Sequence, residues 1–177
     1  MRKIIAHMAV SADGFIARKN GAYDWLERPM PKGNYGMGAF VKSIDTIVWG
    51  RKTYDQTLAL GHDPSFGPKI RNYVFTHRKA EARPNFEFTR EPVRKFAGRL
   101  RAERGKNIWM MGGGEVIASF LDAGEIDEFS LHVIPVMIGE GIPLVAAARR
   151  TVELKLLASK RYADGVVHLH YEVSRAG

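Results

Sequence analysis

The sequence predicts an α/β fold whose sheet is largely parallel and gains antiparallel strands at its C-terminal end. Strand-like and helix-like segments alternate along the chain until about residue 134, an order typical of parallel strands joined by helices. The last segment, residues 154–173, instead holds two runs of alternating apolar residues around the turn Ala-Asp-Gly. That pattern predicts a β-hairpin that closes the sheet.

The individual elements follow from short apolar runs and from helical spacing. Strand-like runs occupy residues 3–10, 45–49, 70–76, 86–89, 107–111 and 127–134. Helix-like runs occupy residues 36–44, 52–60, 91–104 and 114–124. Pro92 stands near the start of the third, and a glycine ends the fourth, as is common in helices. Residues 61–69 are rich in Gly and Pro and predict a surface loop rather than a domain boundary, so we expect one domain over residues 1–177.

Composition limits the classes of function. The chain has 45% apolar and 26% charged residues, and no stretch approaches the roughly 20 apolar residues of a membrane helix. There is no cysteine, which rules out disulfides and thiolate metal sites, and we expect a cytoplasmic protein without a metal. The 27 Lys and Arg exceed the 19 Asp and Glu, a balance that suits nucleic acid or a phosphorylated small molecule. Because the basic residues are scattered, the sequence favours the small molecule.

The first strand-to-helix junction carries basic residues where a helix begins. Gly50 follows the strand that ends at Trp49, and Arg51 and Lys52 come next. Cations at a helix N-terminus oppose the helix dipole, so their position is easier to understand if an anion binds there. The alternative is that Thr53 caps the helix and both cations face solvent.

A second junction of the same kind contains Gly112, Gly113 and Gly114. Three glycines allow backbone amides to approach a pyrophosphate closely; the alternative is a tight turn that packs the helix on the strand. A third strand end is followed by Thr76-His77-Arg78, which suits another phosphate. Ligands of open α/β sheets bind beyond the carboxyl ends of the strands, so all three junctions are expected at one edge. The spacing is neither the Rossmann fingerprint nor a Walker A motif.

Together these segments resemble the dihydrofolate reductase superfamily, and most closely the stand-alone relatives of the C-terminal reductase domain of the bifunctional riboflavin biosynthesis protein. The motifs that carry the resemblance span nearly the whole chain in order: SADGFIA (11–17), WGRKTYD (49–55), YVFTHR (73–78), the segment 111–144 and the closing hairpin. The resemblance implies a dihydrofolate reductase-like sheet with helices on both faces.

The resemblance also implies NADPH as the cofactor and assigns residues to it. The 2′-phosphate is expected at Thr76, His77 and Arg78, and the nicotinamide between Ala9 and Ile16. The adenosine end and its phosphates are expected at Gly50, Arg51, Lys52 and Thr53. The pyrophosphate is expected on the amides of Gly112, Gly113, Gly114, Glu115 and Val116.

The expected substrate site departs from that of true dihydrofolate reductases. Their first helix carries a carboxylate that binds the pteridine, but residues 31–44 contain no Asp or Glu. Asp13-Gly14 instead matches an Asp-Gly pair of the riboflavin-pathway reductases, and Trp25 resembles a tryptophan beside the mobile active-site loop. We expect Asp13 to act in loop geometry or substrate contact rather than as a proton donor. Basic residues in the bordering loops are candidates for a substrate phosphate, although each also fits a solvated surface: Arg28, Lys32, His62 and Lys69.

The function that these observations favour is an NADPH-dependent reductase of a small heterocyclic substrate, with the ribosylaminopyrimidine of riboflavin synthesis as the named candidate. The alternatives are a dihydrofolate or pterin reductase, and a protein that binds NADPH without turnover. The resemblance further suggests a homodimer, with residues 131–145 as one part of an interface or, alternatively, as a core strand and loop.

Overall fold

The structure, a computed structural model, describes residues 1–79 and 81–174, and it is built around one eight-stranded sheet. In chain order its strands and α-helices are β1 (Ile4–Ser11), β2 (Phe15–Ala17), α1 (Met37–Lys42), β3 (Ile44–Gly50), α2 (Arg51–Ala59), β4 (Arg71–Phe75), β5 (Phe86–Thr89), α3 (Val93–Ala102), β6 (Asn107–Gly112), α4 (Gly114–Ala123), β7 (Glu128–Ile134), β8 (Ile142–Pro143), β9 (Leu154–Arg161) and β10 (Val167–Val173). Two 3-10 helices, Asp24–Leu26 and Asn34–Gly36, precede α1.

The strand order is β5-β4-β3-β6-β1-β7-β10-β9. All neighbours from β5 to β7 pair in parallel, whereas β10 runs antiparallel to both β7 and β9. The predicted sheet, mostly parallel with a closing antiparallel hairpin, is therefore confirmed. Because β6 lies between β3 and β1, the carboxyl ends of these three strands and of β4 lie side by side at one edge.

Helices cover both faces of the sheet, as the resemblance implied. On one face α3 and α4 bury Phe96 and Phe120 against strand residues such as Ile108. This follows from the helical spacing of their apolar residues, which gives each helix one apolar stripe. On the other face α1 and α2 pack on a second core cluster that includes Trp49 and Trp109.

The predicted strands and helices agree with the structure to within a few residues. The segment 61–69 connects α2 to β4 and forms neither a helix nor a strand. The turn of the hairpin is closed by a 2.9 Å hydrogen bond from the Tyr162 amide to the Val166 carbonyl. The two short strands β2 and β8 and the two 3-10 helices were not predicted from the sequence. Within the described residues no helix has both the length and the apolar character needed to span a membrane.

Candidate functional site

The two glycine junctions meet at the carboxyl edge of the sheet. Trp49 pairs with Gly112 across β3 and β6, so Gly50 and Gly113 follow at the same level. A Cβ atom on Gly50 would lie 3.2 Å from the Gly113 nitrogen and 3.3 Å from the Gly112 carbonyl oxygen. The two backbones are thus in direct contact, and glycine at position 50 permits that contact. Two sequence motifs separated by about 60 residues form one local structure.

The three successive glycines have different structural reasons. Gly112 has a φ of +100°, which favours a residue without Cβ, and its peptide bond to Gly113 is cis. A Cβ on Gly114 would lie only 2.5 Å from the Pro143 carbonyl oxygen, and the Ala146 amide donates to the Gly114 carbonyl at 3.1 Å. The alternative of tight packing therefore accounts for Gly114.

A side chain at Gly113 would not meet the segment 143–146, as one at Gly114 would, but residues predicted to line the cofactor. A Cβ placed there would lie 3.0 Å from Thr53 Oγ1 and 3.8 Å from Ile16 Cδ1. Residues from β2, α2 and the turn before α4 are therefore brought together. The alternative that Thr53 caps α2 is wrong, because Gly50 holds the N-cap position and no side chain caps this helix.

The N-terminus of α4 leaves two backbone donors free. The Val116 and Ile117 amides both donate to the Gly113 carbonyl at 3.1 Å. The Val116 amide, predicted to contact a pyrophosphate, thus already has an acceptor inside the turn. The amides of Gly114 and Glu115 make no hydrogen bond within the part of the chain that the structure describes. Free amides and the positive end of the helix dipole favour an anion here.

Two charged side chains bridge the helix N-termini. Lys52 at the start of α2 pairs with Glu115 at the start of α4 through a 2.7 Å contact between Nζ and Oε1. Both side chains are largely exposed, 81% and 74%, so the pair contributes little to stability. The contact also shows that the two predicted phosphate-binding segments lie close enough for their side chains to meet.

Arg51 is held in place but carries an unsatisfied donor. Its Nε donates to the Asp55 carboxylate at 2.7 Å, and its guanidinium carbon lies 6.0 Å from the centre of the Phe88 ring. Its Nη1 is buried and has no hydrogen-bond partner among the described residues. A buried donor without a partner is rare in folded proteins, and an anionic ligand would supply one.

The end of β4 presents the third predicted cluster. Phe75 pairs with Gly50 in the sheet, so Thr76 follows beside Arg51. The Thr76 hydroxyl accepts a hydrogen bond from the Arg78 amide at 3.1 Å. The side chains of His77 and Arg78 are exposed and have no ion-pair partner among residues 1–79 and 81–174. They add unpaired basic groups next to the glycine junctions.

Asp13 closes the loop after β1. Its carboxylate accepts hydrogen bonds from the Ser11 hydroxyl at 2.6 Å, the Gly139 amide at 2.7 Å and the Ile138 amide at 3.0 Å. The Ser11 hydroxyl, together with the two amides, lowers the pKa of Asp13 despite the opposing effect of desolvation. An ionised carboxylate that only accepts hydrogen bonds suits the loop-geometry role better than that of a proton donor. The loop it closes leads into β2 and thus sets the position of Ile16.

Trp25 and the neighbouring loop residues occupy different environments. Trp25 lies in the first 3-10 helix, and its indole Nε1 is buried without a hydrogen-bond partner in the described chain. Arg28 donates to the Asp164 carbonyl at 2.8 Å and therefore ties its loop to the hairpin turn. Solvent surrounds the other three basic candidates for a substrate phosphate: Lys32, His62 and Lys69.

The structure adds a histidine cluster that sequence analysis did not predict. His7 of β1, His132 of β7 and His168 of β10 lie on the face covered by α1, where His7 stacks on Phe40 with 3.8 Å between ring centres. Burial lowers the pKa of His7 to about 3 and that of His132 to about 4, so both rings are neutral at pH 7. Histidine at strand positions of otherwise apolar runs was the available signal. Within the described residues no group of three or more His, Asp or Glu is placed to hold a metal ion.

His132 is adjacent to the predicted nicotinamide position. It pairs in register with Ala9 across the parallel strands β7 and β1. Paired residues of neighbouring strands point to the same face of a sheet, so the His132 ring stands beside Ala9. The histidine cluster therefore borders the site that the glycine junctions define.

Comparison with known proteins gives the family. A sequence profile of the RibD C-terminal domain matches residues 2–168. The uncharacterised protein YwjB of Bacillus subtilis (strain 168) is 37% identical over 172 residues, which cover 96% of this chain and 97% of YwjB. A crystal structure from Shewanella sp. PV-4, named "Putative riboflavin biosynthesis protein", has a TM-score of 0.86 and 26% identity, over 99% of this chain and 100% of that one.

Two more distant structures share the fold. The Thermotoga maritima diaminohydroxyphosphoribosylaminopyrimidine deaminase/5-amino-6-(5-phosphoribosylamino)uracil reductase has a TM-score of 0.72 and 16% identity, over 98% of this chain and 57% of that one. Dihydrofolate reductase from Enterococcus faecalis, complexed with NADP(H), has a TM-score of 0.68 and 15% identity, over 98% of this chain and 97% of that one. The dihydrofolate reductase-like fold is thus shown, and the match over residues 2–168 establishes that the chain belongs to the RibD C-terminal domain family.

Proposed function

We propose that the protein is an NADPH-dependent reductase that reduces a small heterocyclic substrate. The observation that carries the proposal is the pair of joined glycine junctions, because one offers two free amides at the start of α4 and the other the unsatisfied Arg51 Nη1 at the start of α2. Membership of the RibD C-terminal domain family supports reductase chemistry. The named candidate substrate is 5-amino-6-(5-phosphoribosylamino)uracil, on which the Thermotoga maritima relative acts by its name.

The residues at the carboxyl edge fit NADPH. The amides of Gly114 and Glu115 would hold the pyrophosphate, and Arg51 would reach a phosphate through its unpaired Nη1. The 2′-phosphate would lie against His77 and Arg78, whose side chains are exposed and unpaired among the described residues. An unpaired Arg at this position would favour NADPH over NADH.

The protein would contribute orientation and exclusion of water, and bound NADPH would supply the hydride. Ala9 and Ile16 would flank the nicotinamide. Asp13 would hold the loop that carries Ile16 through its bonds to the Ser11 hydroxyl and the Gly139 amide. Neither α1 nor the preceding 3-10 helix carries an acidic residue, which disfavours the folate and pterin alternative because a pteridine would lack its carboxylate partner.

Turnover tests the proposal and separates its alternatives. NADPH oxidation would be followed with 5-amino-6-(5-phosphoribosylamino)uracil and, in parallel, with dihydrofolate. We expect oxidation only with the first, and a Gly113→Val variant should lose it because a side chain there meets Thr53 Oγ1. Oxidation with dihydrofolate would favour the folate alternative. NADPH binding without turnover of either compound would favour the non-catalytic alternative.

We also propose a homodimer, formed through the outer edge of the sheet. Of the expected segment 131–145, residues 131–134 lie in β7 and are largely buried, whereas Met137 in the loop that follows is 77% exposed. The outer strand β9 is exposed along its whole length and includes Leu154, Leu156 and Leu157, each 42–52% exposed. An exposed apolar edge strand is a site for association. Light scattering should give the mass of a dimer for the wild type and of a monomer for Leu156→Glu. The same mass for the wild type and the variant would contradict the proposal.

A further inference from the structure

Four polar side chains on the face covered by α1 form a connected group. His7 Nδ1 lies 2.9 Å from Ser130 Oγ, which lies 2.8 Å from His168 Nε2. A serine hydroxyl can donate to one ring and accept from the other, so this chain fixes His7 and His168. His132 stacks on His168 at 4.5 Å and meets His7 edge-on at 5.2 Å. Its ring is thereby held from two sides without a hydrogen bond to either neighbour.

One atom of this group is unsatisfied. His132 is 6% exposed, and its Nε2 is buried with no hydrogen-bond partner among the described residues. Leaving such a group unpaired inside a protein is unfavourable, because it has lost its hydrogen bond to water. The ring is neutral at pH 7, because burial first and the neighbouring His168 second lower its pKa to about 4, against a smaller opposing effect of the Tyr35 backbone carbonyl. The fold therefore keeps a neutral, unpaired ring nitrogen beside Ala9.

The boundary of this position consists of aromatic rings on a loop and on the hairpin. The rings of Tyr35 and Tyr162 lie 5.6 and 6.2 Å from His132. The Tyr35 hydroxyl donates to the Asp164 carboxylate at the hairpin turn, and Arg28 donates to the Asp164 carbonyl. A planar ring bound beside His132 would lie among aromatic side chains.

The carboxylates around His132 are already paired with other groups. Glu128 on the same strand is bound by Lys3 and by His170 Nε2 at 2.9 Å, and Asp164 is bound by Arg28 and Tyr35. The ionisable groups that face His132 or its stacking partner from the packed elements are His7 of β1, Glu128 of β7, Lys160 of β9, His168 and His170 of β10, Tyr162 and Asp164 of the hairpin turn, and Arg28 and Tyr35 of the loop. Neither Glu128 nor Asp164, the two carboxylates of this group, is left unpaired to stabilise a cationic ring.

We propose that His132 is a substrate-contacting residue whose Nε2 hydrogen-bonds the polar edge of an uncharged planar heterocycle, a ring with N–H and C=O groups such as uracil. This inference rests on the proposed reductase function and deepens it, because it names the class of ring that lies beside the nicotinamide. A neutral ring nitrogen can donate to a carbonyl or accept from an N–H. A protonated pteridine would instead place a positive charge where no free carboxylate receives it.

Steady-state kinetics with matched variants tests the contact. The substrate is 5-amino-6-(5-phosphoribosylamino)uracil, and the variants are His132→Leu, His132→Gln and His170→Gln. Leu removes the ring nitrogen, and we expect KM to rise about tenfold or more, the effect of losing one hydrogen bond in a buried site. Gln retains a polar atom and should recover part of the loss. His170→Gln changes the same face outside the site and should stay within threefold of the wild type; a His132→Leu variant within that range would overturn the inference.

A ligand-binding measurement on the wild-type protein separates this inference from the proposed function. The nitrogen resonances of the His132 ring would be recorded by NMR with and without uracil, in the presence and in the absence of NADPH. A shift of the Nε2 resonance on addition of uracil supports the contact even if NADPH does not bind. An unchanged resonance under both conditions overturns the contact, while NADPH binding alone would leave the reductase proposal standing.

Discussion

Replacement of Gly114 by alanine tests how the glycine turn is built. The added Cβ would lie 2.5 Å from the Pro143 carbonyl oxygen and 3.2 Å from the Ala146 nitrogen. Both neighbours are backbone atoms, so they cannot rotate away as a side chain would. The carbonyl contact is about 0.9 Å short of an ordinary 3.4 Å contact, and α4 or the segment 143–146 must shift. Overpacking of this kind destabilises by about 1–3 kcal/mol.

Thermal unfolding measures this effect against a matched control. For a chain of this length 1 kcal/mol changes Tm by about 2–4 °C, so we expect Gly114→Ala to lower Tm by roughly 2–12 °C. Gly98 of α3 has nothing within 4 Å of the position of an added Cβ. Alanine is the better helix former by about 0.5–1 kcal/mol, so Gly98→Ala should raise Tm.

The same variant also connects packing to binding. The free amides of Gly114 and Glu115 move with α4, so Gly114→Ala should weaken NADPH binding, whereas Gly98→Ala should not. If Gly114→Ala has the Tm of Gly98→Ala, the close contact with the segment 143–146 does not exist in solution. If it lowers Tm but leaves NADPH affinity unchanged, the N-terminus of α4 is not part of the cofactor site.

Four further predictions concern charge. Glu115→Gln should raise NADPH affinity about two- to fivefold in a fluorescence titration, because it removes a carboxylate beside the expected pyrophosphate. The same change removes an acidic side chain from the N-terminus of α4 and should lower the free energy of unfolding by about 0.3–1 kcal/mol. Arg78→Ala should weaken NADPH binding roughly three- to tenfold and leave NADH binding unchanged, and equal losses for both cofactors would exclude a 2′-phosphate site there. Asp13→Asn should lower kcat and make the loop after β1 more susceptible to proteolysis, since its bonds to Ser11 and Gly139 weaken. His132 has a folded pKa of about 4 against an ordinary 6.5. Between about pH 6.5 and pH 4 the unfolded state therefore binds more protons, and the free energy of unfolding falls as the pH is lowered through this range. In urea unfolding, His132→Gln should reduce this pH dependence, and an unchanged pH dependence would show that His132 is solvated.

The sheet and its helices were predictable because their signals are local. Each strand is a short apolar run, and the spacing of Phe96 and Leu100 predicts the buried face of α3. The turn Ala-Asp-Gly between two alternating runs predicts the hairpin. The sequence also predicted that the three basic and glycine-rich junctions lie together, because parallel strands place all their carboxyl ends on one edge of the sheet. The resemblance then gave roles to residues that the geometry brings together, such as Ile16, Thr53 and Gly113.

The rest depends on which distant segments become neighbours. Nothing near Gly114 in the sequence shows that the Pro143 carbonyl approaches it, and the ladder of β2 with β8 joins residues more than 120 positions apart. The histidine cluster arises because β1, β7 and β10 are adjacent in the sheet. Histidines in separate strands do not show that those strands are neighbours, and only the strand order shows that His132 stands beside Ala9.

Titration of the protein with NADPH and with NADH is the most direct test of the central claim, that the joined glycine junctions bind the phosphates of NADPH. Trp49 directly precedes Gly50 of the first junction, and Trp109 lies three residues before Gly112 of the second, so tryptophan fluorescence should report binding. The account predicts saturable binding of NADPH, clearly tighter than that of NADH, and weakened by Gly113→Val. The absence of binding for both cofactors at moderate salt would contradict it and leave the glycines as a packing device.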